Sequence, residues 1–337
     1  MKHTSIMATV ANNRCTAEFV SSLHRNGMES VRINSAHVSP ETFREMVETI
    51  RNAAPGIQIL MDTKGPEIRT TRLARELELK PGDKLTFRSG TAESGPDCIY
   101  IRVDGFEKYV VAGGEMLLDD GELKLVITTV ENDGVTARVI TGGKLGSCKT
   151  VAFTGAEVPP LPAVSERDRL NISAAVECGI EMIAHSFVRS AADVKAVREL
   201  ISGSNIRLYA KVECREALEN LEEIAAAADG LLIARGDLGT HISLCEVPAA
   251  QFKVVAAAQR VGKPTILATQ ILQSMLNRPT PTRAELSDIT LAVLQGIDTL
   301  LLTGETARGE FPAECVATLK QSIHATRNIP WKLSMTT

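Results

Sequence analysis

The chain has 337 residues, enough for one large domain with a smaller companion, and its 44% hydrophobic and 23% charged content is that of an ordinary globular protein. A net charge of −4 and a pI near 6.0 give no basic field, so a nucleic acid or an anionic membrane surface has no electrostatic support as a partner and a small molecule is expected instead. The seven cysteines contain no CxxC pair, no apolar run reaches membrane-spanning length, and no signal-peptide core is present, so the reading is a cytoplasmic protein with reduced thiols and no structural zinc.

The first third alternates strand and helix signals. Ser5 to Val10 reads as a strand and Cys15 to Asn26 as a helix closed by Gly27. Ser30 to His37 reads as a second strand, and Ser39-Pro40 as the cap and first residue of a helix running to about Ala53. Gln58 to Gly65 is a third strand with a polar end. From Thr71 to Val151 the rhythm stops: valine, threonine and isoleucine runs alternate with the turn signals Pro81-Gly82-Asp83, Ser94-Gly95-Pro96, Asn132-Asp133-Gly134 and Gly142-Gly143. This stretch is expected to be an all-β insert. A helix restarts at Ser165-Glu-Arg-Asp168, and strands are expected at Ile180 to Phe187, Arg207 to Glu213, Gly230 to Leu238, Pro264 to Gln270 and Thr299 to Thr306, each followed by a helix.

Eight βα units with short connections favour an α/β (β/α)8 TIM barrel over an open sheet, with the small β domain inserted after strand 3. The expected division is residues 1–70 and 152–337 for the barrel and 71–151 for a β-rich lid. In such a barrel the chemistry sits at the C-terminal strand ends. Polar residues collect there: Arg32 and Asn34; Asp62, Thr63 and Lys64; Ser186 and Arg189; Lys211 and Glu213; Asp237; Thr269; Thr303 and Glu305.

Lys211 and Glu213, two positions apart on one strand, point to the same face. If the next strand is a parallel neighbour, Asp237 arrives at the same edge. Two carboxylates, Glu213 and Asp237, suit a hard ion such as Mg²⁺ or Mn²⁺, which takes one or two protein carboxylates and leaves its other positions to substrate oxygens and water. For each alone, a role as an ion-pair partner of Lys211 or Arg235 is about as good an account. A lysine beside such an ion, with Arg32 opposite, would meet the charge of a phosphorylated acid, and the backbone around Gly236 could admit an anion closely. The residues themselves therefore point to phosphate or carboxylate chemistry.

Several runs are long enough to carry a family resemblance. Met61-Asp-Thr-Lys-Gly-Pro-Glu-Ile-Arg-Thr70, Leu161-Pro-Ala-Val-Ser-Glu-Arg-Asp168, His185-Ser-Phe-Val-Arg189, Lys211-Val-Glu213, Ala234-Arg-Gly-Asp-Leu-Gly239, Ala268-Thr-Gln270 and Thr303-Gly-Glu-Thr-Ala-Arg-Gly309 closely resemble segments of pyruvate kinase. The resemblance implies that Lys211 stabilises the phosphoryl group in flight and that Glu213 and Asp237 ligate a Mg²⁺ (or Mn²⁺). It further implies that Arg32 holds the transferring phosphate, that Thr269 lies near the protonated carbon and the carboxylate, and that Ser186 and Gly236 line the substrate. Asn34, Asp62 and Thr63 match ligands of K⁺, Glu67 the acid of K⁺-dependent members, Arg69 and His37 the path of the nucleotide phosphates, and Asp119 or Asp120 the acid of the lid.

Three departures stand against that pattern. Ala36 replaces the serine ligand of the monovalent ion, which weakens that site. The turn after the first strand reads Thr9-Val-Ala-Asn-Asn13 and the segment leaving the lid Lys149-Thr-Val-Ala-Phe-Thr-Gly155, which leaves the nucleotide contacts open. The sequence stops at Thr337, so the family's C-terminal effector domain is expected to be absent, as is the helix ahead of the barrel, and a homodimer through the barrel is the largest assembly expected. Three functions fit: phosphoryl transfer between phosphoenolpyruvate and a nucleoside diphosphate such as ADP; a Mg²⁺-dependent lyase or aldolase acting on a pyruvate-like or oxaloacetate-like acid through an enolate; or a non-catalytic ligand-binding barrel. Bland readings are preferred for the rest: Trp331 covers barrel surface, and Cys214 faces away from Glu213 into the core.

Overall fold

A computed structural model describes residues 2–154 and 161–328, apart from the side chains of His37 and Thr154, so the expectation for Trp331 lies outside the described residues. Three strands and two helices come first: β1 (Ser5–Thr9), α1 (Ala17–Asn26), β2 (Ser30–Asn34), α2 (Pro40–Ala53) and β3 (Gln58–Asp62). The insert then supplies β4 (Leu77–Leu79), β5 (Lys84–Ser89), β6 (Ile99–Ile101), β7 (Glu115–Leu118), β8 (Leu123–Glu131), β9 (Gly134–Thr141), β10 (Gly143–Leu145) and β11 (Val151–Thr154). The alternation resumes with α3 (Glu166–Cys178), β12 (Met182–His185), α4 (Ala191–Leu200), β13 (Arg207–Val212), α5 (Arg215–Glu219), α6 (Leu221–Ala227), β14 (Gly230–Ala234) and α7 (Arg235–His241). It ends with α8 (Val247–Arg260), β15 (Thr265–Ala268), α9 (Arg283–Leu294), β16 (Thr299–Leu302), α10 (Gly304–Ala307) and α11 (Pro312–Arg327).

The chain divides into two compact units, one of residues 1–65, 163–235 and 245–337, the other of residues 66–162 and 236–244. In the first, eight parallel strands close into a barrel in the order β1-β16-β15-β14-β13-β12-β3-β2. Period-two alternation sorts its side chains. Met7, Leu60, Met182, Tyr209, Leu232, Ile266 and Leu301 fill the interior, while Ile6, Val31, Ile59, Ile183, Leu208, Leu231 and Leu300 face the helices. Continuing the inward series to the strand ends places Arg32, Asp62, Ser186, Lys211 and Glu213 above this apolar plug. The second unit carries a six-stranded sheet, β11-β7-β8-β9-β5-β6, and the pair β10-β4, around its own core of Phe87, Phe106, Met116, Leu125, Val139 and neighbours. The fold is thus a (β/α)8 barrel with a β insert after its third strand.

Local chemistry sets the element ends. Ser39 caps α2 by accepting from the Thr42 N–H, with Pro40 at the first turn. Ser165 caps α3 in the same way through the Asp168 N–H, and Thr282 with Glu285 forms a capping box on α9. The strands are shorter than the apolar runs suggest. β2 gives way to a 3-10 turn over Ser35–His37, and β14 ends at Ala234 so that Asp237 lies on α7. Glu305 lies on α10, and the helical segment that follows β13 is broken at Asn220 into α5 and α6. An apolar run continues through a strand-to-helix junction because both sides of it are buried, so periodicity alone cannot place the change of backbone angle. No helix among the described residues is long and apolar enough to cross a membrane.

Candidate active site

Lys211 is the centre of the arrangement. Its Nζ donates to Asp62 Oδ1 at 2.9 Å and to Ser186 Oγ at 2.7 Å, and lies 2.8 Å from Glu213 Oε1. Arg32 donates from Nε to the other oxygen of Asp62 at 2.8 Å and from Nη1 to Thr9 Oγ1 at 3.1 Å. Two cations and two carboxylates therefore balance within one cluster whose side chains are between 1% and 12% exposed. Burial pushes the Asp62 carboxyl up, but Lys211 and Arg32 outweigh it and hold the group below the usual carboxylate range. The second oxygen of Glu213 accepts from the Phe187 N–H at 2.8 Å, and Phe187 adopts a left-handed backbone, φ +52°, that aims its N–H there.

The end of β3 continues this network. Ser186 Oγ donates to the Thr63 carbonyl at 2.7 Å, and the Ser186 N–H donates to Thr63 Oγ1 at 3.1 Å. Gly65 is required here: its φ is +71°, and a Cβ would sit 2.6 Å from the Ser186 carbonyl oxygen. Ser35 Oγ donates to the Asp62 carbonyl at 2.8 Å. Asn34 Oδ1 accepts from the Ala36 N–H at 3.0 Å, so one oxygen of the expected monovalent-ion set is engaged locally, and Ala36 brings none.

Thr269 follows β15 with φ +69°, and Gln270 follows it with φ +54°. Two consecutive left-handed non-glycine residues cost of order 1–3 kcal/mol each and persist only where the surroundings enforce them. Arg235 does so: its Nη2 donates to the Thr269 carbonyl at 3.0 Å and to that of Gln270 at 3.1 Å, while Nη1 is held by Asp288 at 2.6 Å. The ion-pair partner of Arg235 is therefore Asp288. Gly236 and Asp237 belong to the second unit, where the Asp237 carbonyl accepts from Thr240 Oγ1 at 2.7 Å.

Within that second unit, Arg69 pairs with Glu67 through Nε at 2.6 Å and Nη2 at 2.9 Å and donates to the Cys148 carbonyl. Asp119 and Asp120 form the turn between β7 and β8, both left-handed. Lys149 Nζ holds Asp119 at 2.8 Å, and Thr150 Oγ1 holds Asp120 at 2.7 Å. His37 contributes only its backbone to the description.

Three further groups support this network: Asp168 and His185, legible in the sequence only as parts of longer motifs, and Glu305, expected among the polar strand ends but with no role assigned to it. Asp168 accepts from the Lys64 and Gly65 N–H groups. His185 touches Thr63 Oγ1 at 3.0 Å, and burial holds its imidazole below the ordinary histidine range. Glu305 is fully buried and accepts from the Leu272 and Thr303 N–H groups. Most of these partners, the Lys64, Gly65 and Leu272 N–H groups and the Thr63 hydroxyl, lie 33 or more residues away in the chain, which no spacing rule reveals. Cys214 is buried, its thiol pushed up by burial, and donates to the Val188 carbonyl, as a core position would.

Among the described residues no group of three or more His, Cys, Asp or Glu side chains could hold a metal ion. A divalent ion would thus depend on two carboxylates and on oxygens brought by a ligand.

Comparison with known proteins comes from two sides. The family model "Pyruvate kinase, barrel domain" matches residues 1–316. Curated relatives include pyruvate kinase of Borreliella burgdorferi, 37% identical over 318 residues that make up 94% of this chain and 66% of that one. The Geobacillus stearothermophilus pyruvate kinase is 38% identical, with 95% and 56% covered, and human pyruvate kinase PKLR is 36% identical, with 94% and 58% covered. The chain spans between 56% and 66% of the length of these relatives.

Proposed function

The chain belongs to the pyruvate kinase family, and on that premise we propose that it moves a phosphoryl group between phosphoenolpyruvate and a nucleoside diphosphate, ADP first among them, to give pyruvate and a nucleoside triphosphate. The observation that supports the reading is the seating of Lys211 against Asp62, Ser186 and Glu213, beside Arg32. In this reading Arg32 and Lys211 hold the phosphoryl oxygens. Both cations are fixed by Asp62 before substrate arrives, so no reorganisation is needed as charge develops on the transferring group. In the same reading Thr269, whose carbonyl accepts from Arg235, lies near the carbon that gains a proton. Ser186 and Gly236 line the acid.

Glu213 and Asp237 would hold Mg²⁺ or Mn²⁺, and when bound the ion supplies Lewis-acid charge toward the carboxylate and enolate oxygens. Asn34, Asp62 and Thr63 are the residues for K⁺. That set lacks the oxygen that a serine would bring at Ala36. Arg69 and His37 are assigned to the nucleotide.

A thermal-shift panel tests the proposal, since a ligand that binds only the native state raises stability by mass action. Oxalate, a mimic of the enolate, with Mg²⁺ should raise the midpoint, and ADP with Mg²⁺ should raise it as well. A shift with oxalate and none with any nucleoside diphosphate contradicts phosphoryl transfer and favours the lyase. No shift with either ligand leaves the ligand-binding barrel.

A further inference from the structure

The chain leaves the first unit for the β insert at Gly65–Pro66 and returns at Pro162–Ala163, and it passes between the units again at Arg235–Gly236 and Leu244–Cys245. On the barrel side, each of the first two crossings is held by a buried ionisable side chain that the proposed chemistry does not use. Resting on the phosphotransferase reading for its consequence, though not for its geometry, we propose that Asp168 and His185 are positioning residues that clamp the outgoing and returning chain and thereby set the place of Thr63, Ser186 and Lys211.

Asp168, in the first turn of α3, is fully buried. Its Oδ1 accepts the Lys64 N–H at 2.9 Å. Its Oδ2 accepts the Gly65 N–H at 3.1 Å and the Ser165 O–H at 2.7 Å. One carboxylate thus grips two consecutive peptide groups of the outgoing chain, and such charge-assisted bonds are about twice as strong as neutral ones.

His185 is 1% exposed. Its Nε2 lies 3.0 Å from the Ala163 carbonyl oxygen, which can only accept, so Nε2 carries the proton. Nδ1 is then an acceptor, and Thr63 Oγ1 at 3.0 Å donates to it. With its proton so directed, Thr63 Oγ1 turns a lone pair to the Ser186 N–H at 3.1 Å, and Ser186 Oγ accepts from Lys211. His185 therefore ties the returning chain at Ala163 to the strand end that carries Thr63. The two clamps are joined by close packing, because the Gly65 backbone leaves no room for even a Cβ against Ser186. Movement of Lys64 and Gly65 is passed to Ser186 and on to Lys211. A misplacement of about 1 Å at a reacting group costs on the order of 100-fold in rate.

Asp168→Asn keeps the shape but offers a donor where a second acceptor is needed. His185→Gln reaches the Ala163 carbonyl with its amide but has no ring acceptor for Thr63. Amide hydrogen exchange and turnover should be measured on the full chain and on both variants. The proposal expects exchange at Lys64 and Gly65 in Asp168→Asn, and at Ser186 in His185→Gln, to quicken at least about 10-fold, while amides of β14 and β15 keep their wild-type rates. It also expects kcat per folded molecule to fall about 10- to 100-fold, with the KM for phosphoenolpyruvate within about threefold. A merely structural role lowers global stability and quickens exchange throughout the barrel without singling out these amides.

Unchanged exchange at all three amides overturns the proposal, as does a kcat per folded molecule within twofold of wild type. If Asp168→Asn does not fold, His185→Gln decides alone. If the wild-type chain forms no pyruvate, the phosphotransferase reading fails, and the exchange rates still judge the clamps.

Discussion

Asp62 is the anion that both cations share, and its replacement by asparagine is the sharpest perturbation of the cluster. The side chain keeps its shape, so no cavity opens. Oδ1 lies 2.9 Å from Lys211 Nζ and 3.1 Å from Ser186 Oγ, and Oδ2 lies 2.8 Å from Arg32 Nε. A carboxamide can supply one of these oxygens, and its NH₂ must then face a donor. Charge balance is lost as well: Arg32 and Lys211 are left with Glu213 alone. Removing one partner from a buried ion pair costs about 3–5 kcal/mol, and Asp62→Asn is expected to destabilise the barrel by that amount. Lys211→Met leaves the opposite imbalance, two carboxylates against Arg32. The double variant restores neutrality, with Arg32 and Glu213 the two charges left in the cluster, so its loss should fall short of the summed single losses by about 1–3 kcal/mol. Urea unfolding followed by circular dichroism at pH 7 measures all four proteins by linear extrapolation. A loss below about 1 kcal/mol for Asp62→Asn, or additivity within about 0.5 kcal/mol, would refute the balanced-cluster argument.

Other outcomes follow from the same geometry. Gly65→Ala meets both a positive φ and the Ser186 carbonyl, and it should cost at least about 2 kcal/mol in the same unfolding assay. Arg235→Met frees the Thr269 and Gln270 carbonyls, and with charged hydrogen bonds worth about 1.5–3 kcal/mol it should lower kcat about 10- to 100-fold in steady-state kinetics. Glu285 accepts from Ser274 and Thr282. Burial pushes its carboxyl up, but these bonds outweigh it and hold the group below the ordinary glutamate value. Its contribution is therefore present above the unfolded-state pKa of about 4.3 and is lost as pH falls through the lower folded-state value. Glu285→Gln should be less stable than wild type at pH 7 by about 1 kcal/mol, a screened value for a partly exposed cap, with the gap closing toward pH 3 in parallel unfolding titrations.

The barrel was legible because strand and helix periods alternate eight times, and because Lys211 and Glu213 sit two apart and so share a face. Arg32 and Asp62 were legible as polar residues ending apolar strands. What stayed hidden depended on the backbone. Asp237 was assigned to a strand end because the run Gly230 to Leu238 gives no sign that β14 stops at Ala234. The left-handed Thr269 and Gln270 carry ordinary side chains, and the Arg235 that enforces their conformation lies 34 and 35 residues away. Asp168 and His185 were read only as parts of longer motifs. Their partners are the peptide N–H of Lys64, 104 residues off, and the carbonyl of Ala163, 22 residues off, and main-chain groups have no sequence signature. The polar end of β3 promised a site but not the clamps that fix it.

The central claim is that Lys211, held by Asp62, Ser186 and Glu213, meets a phosphoryl group carried by an enol acid. Its most direct test is steady-state formation of pyruvate from phosphoenolpyruvate and ADP with Mg²⁺ and K⁺ by the full chain, set against Lys211→Met. The account predicts turnover by the wild type and a loss on the order of 1,000-fold or more in the variant, comparable to removal of a charge-stabilising cation from other phosphoryl-transfer sites. Equal rates for the two proteins, or no turnover with ADP or any other nucleoside diphosphate, would contradict it.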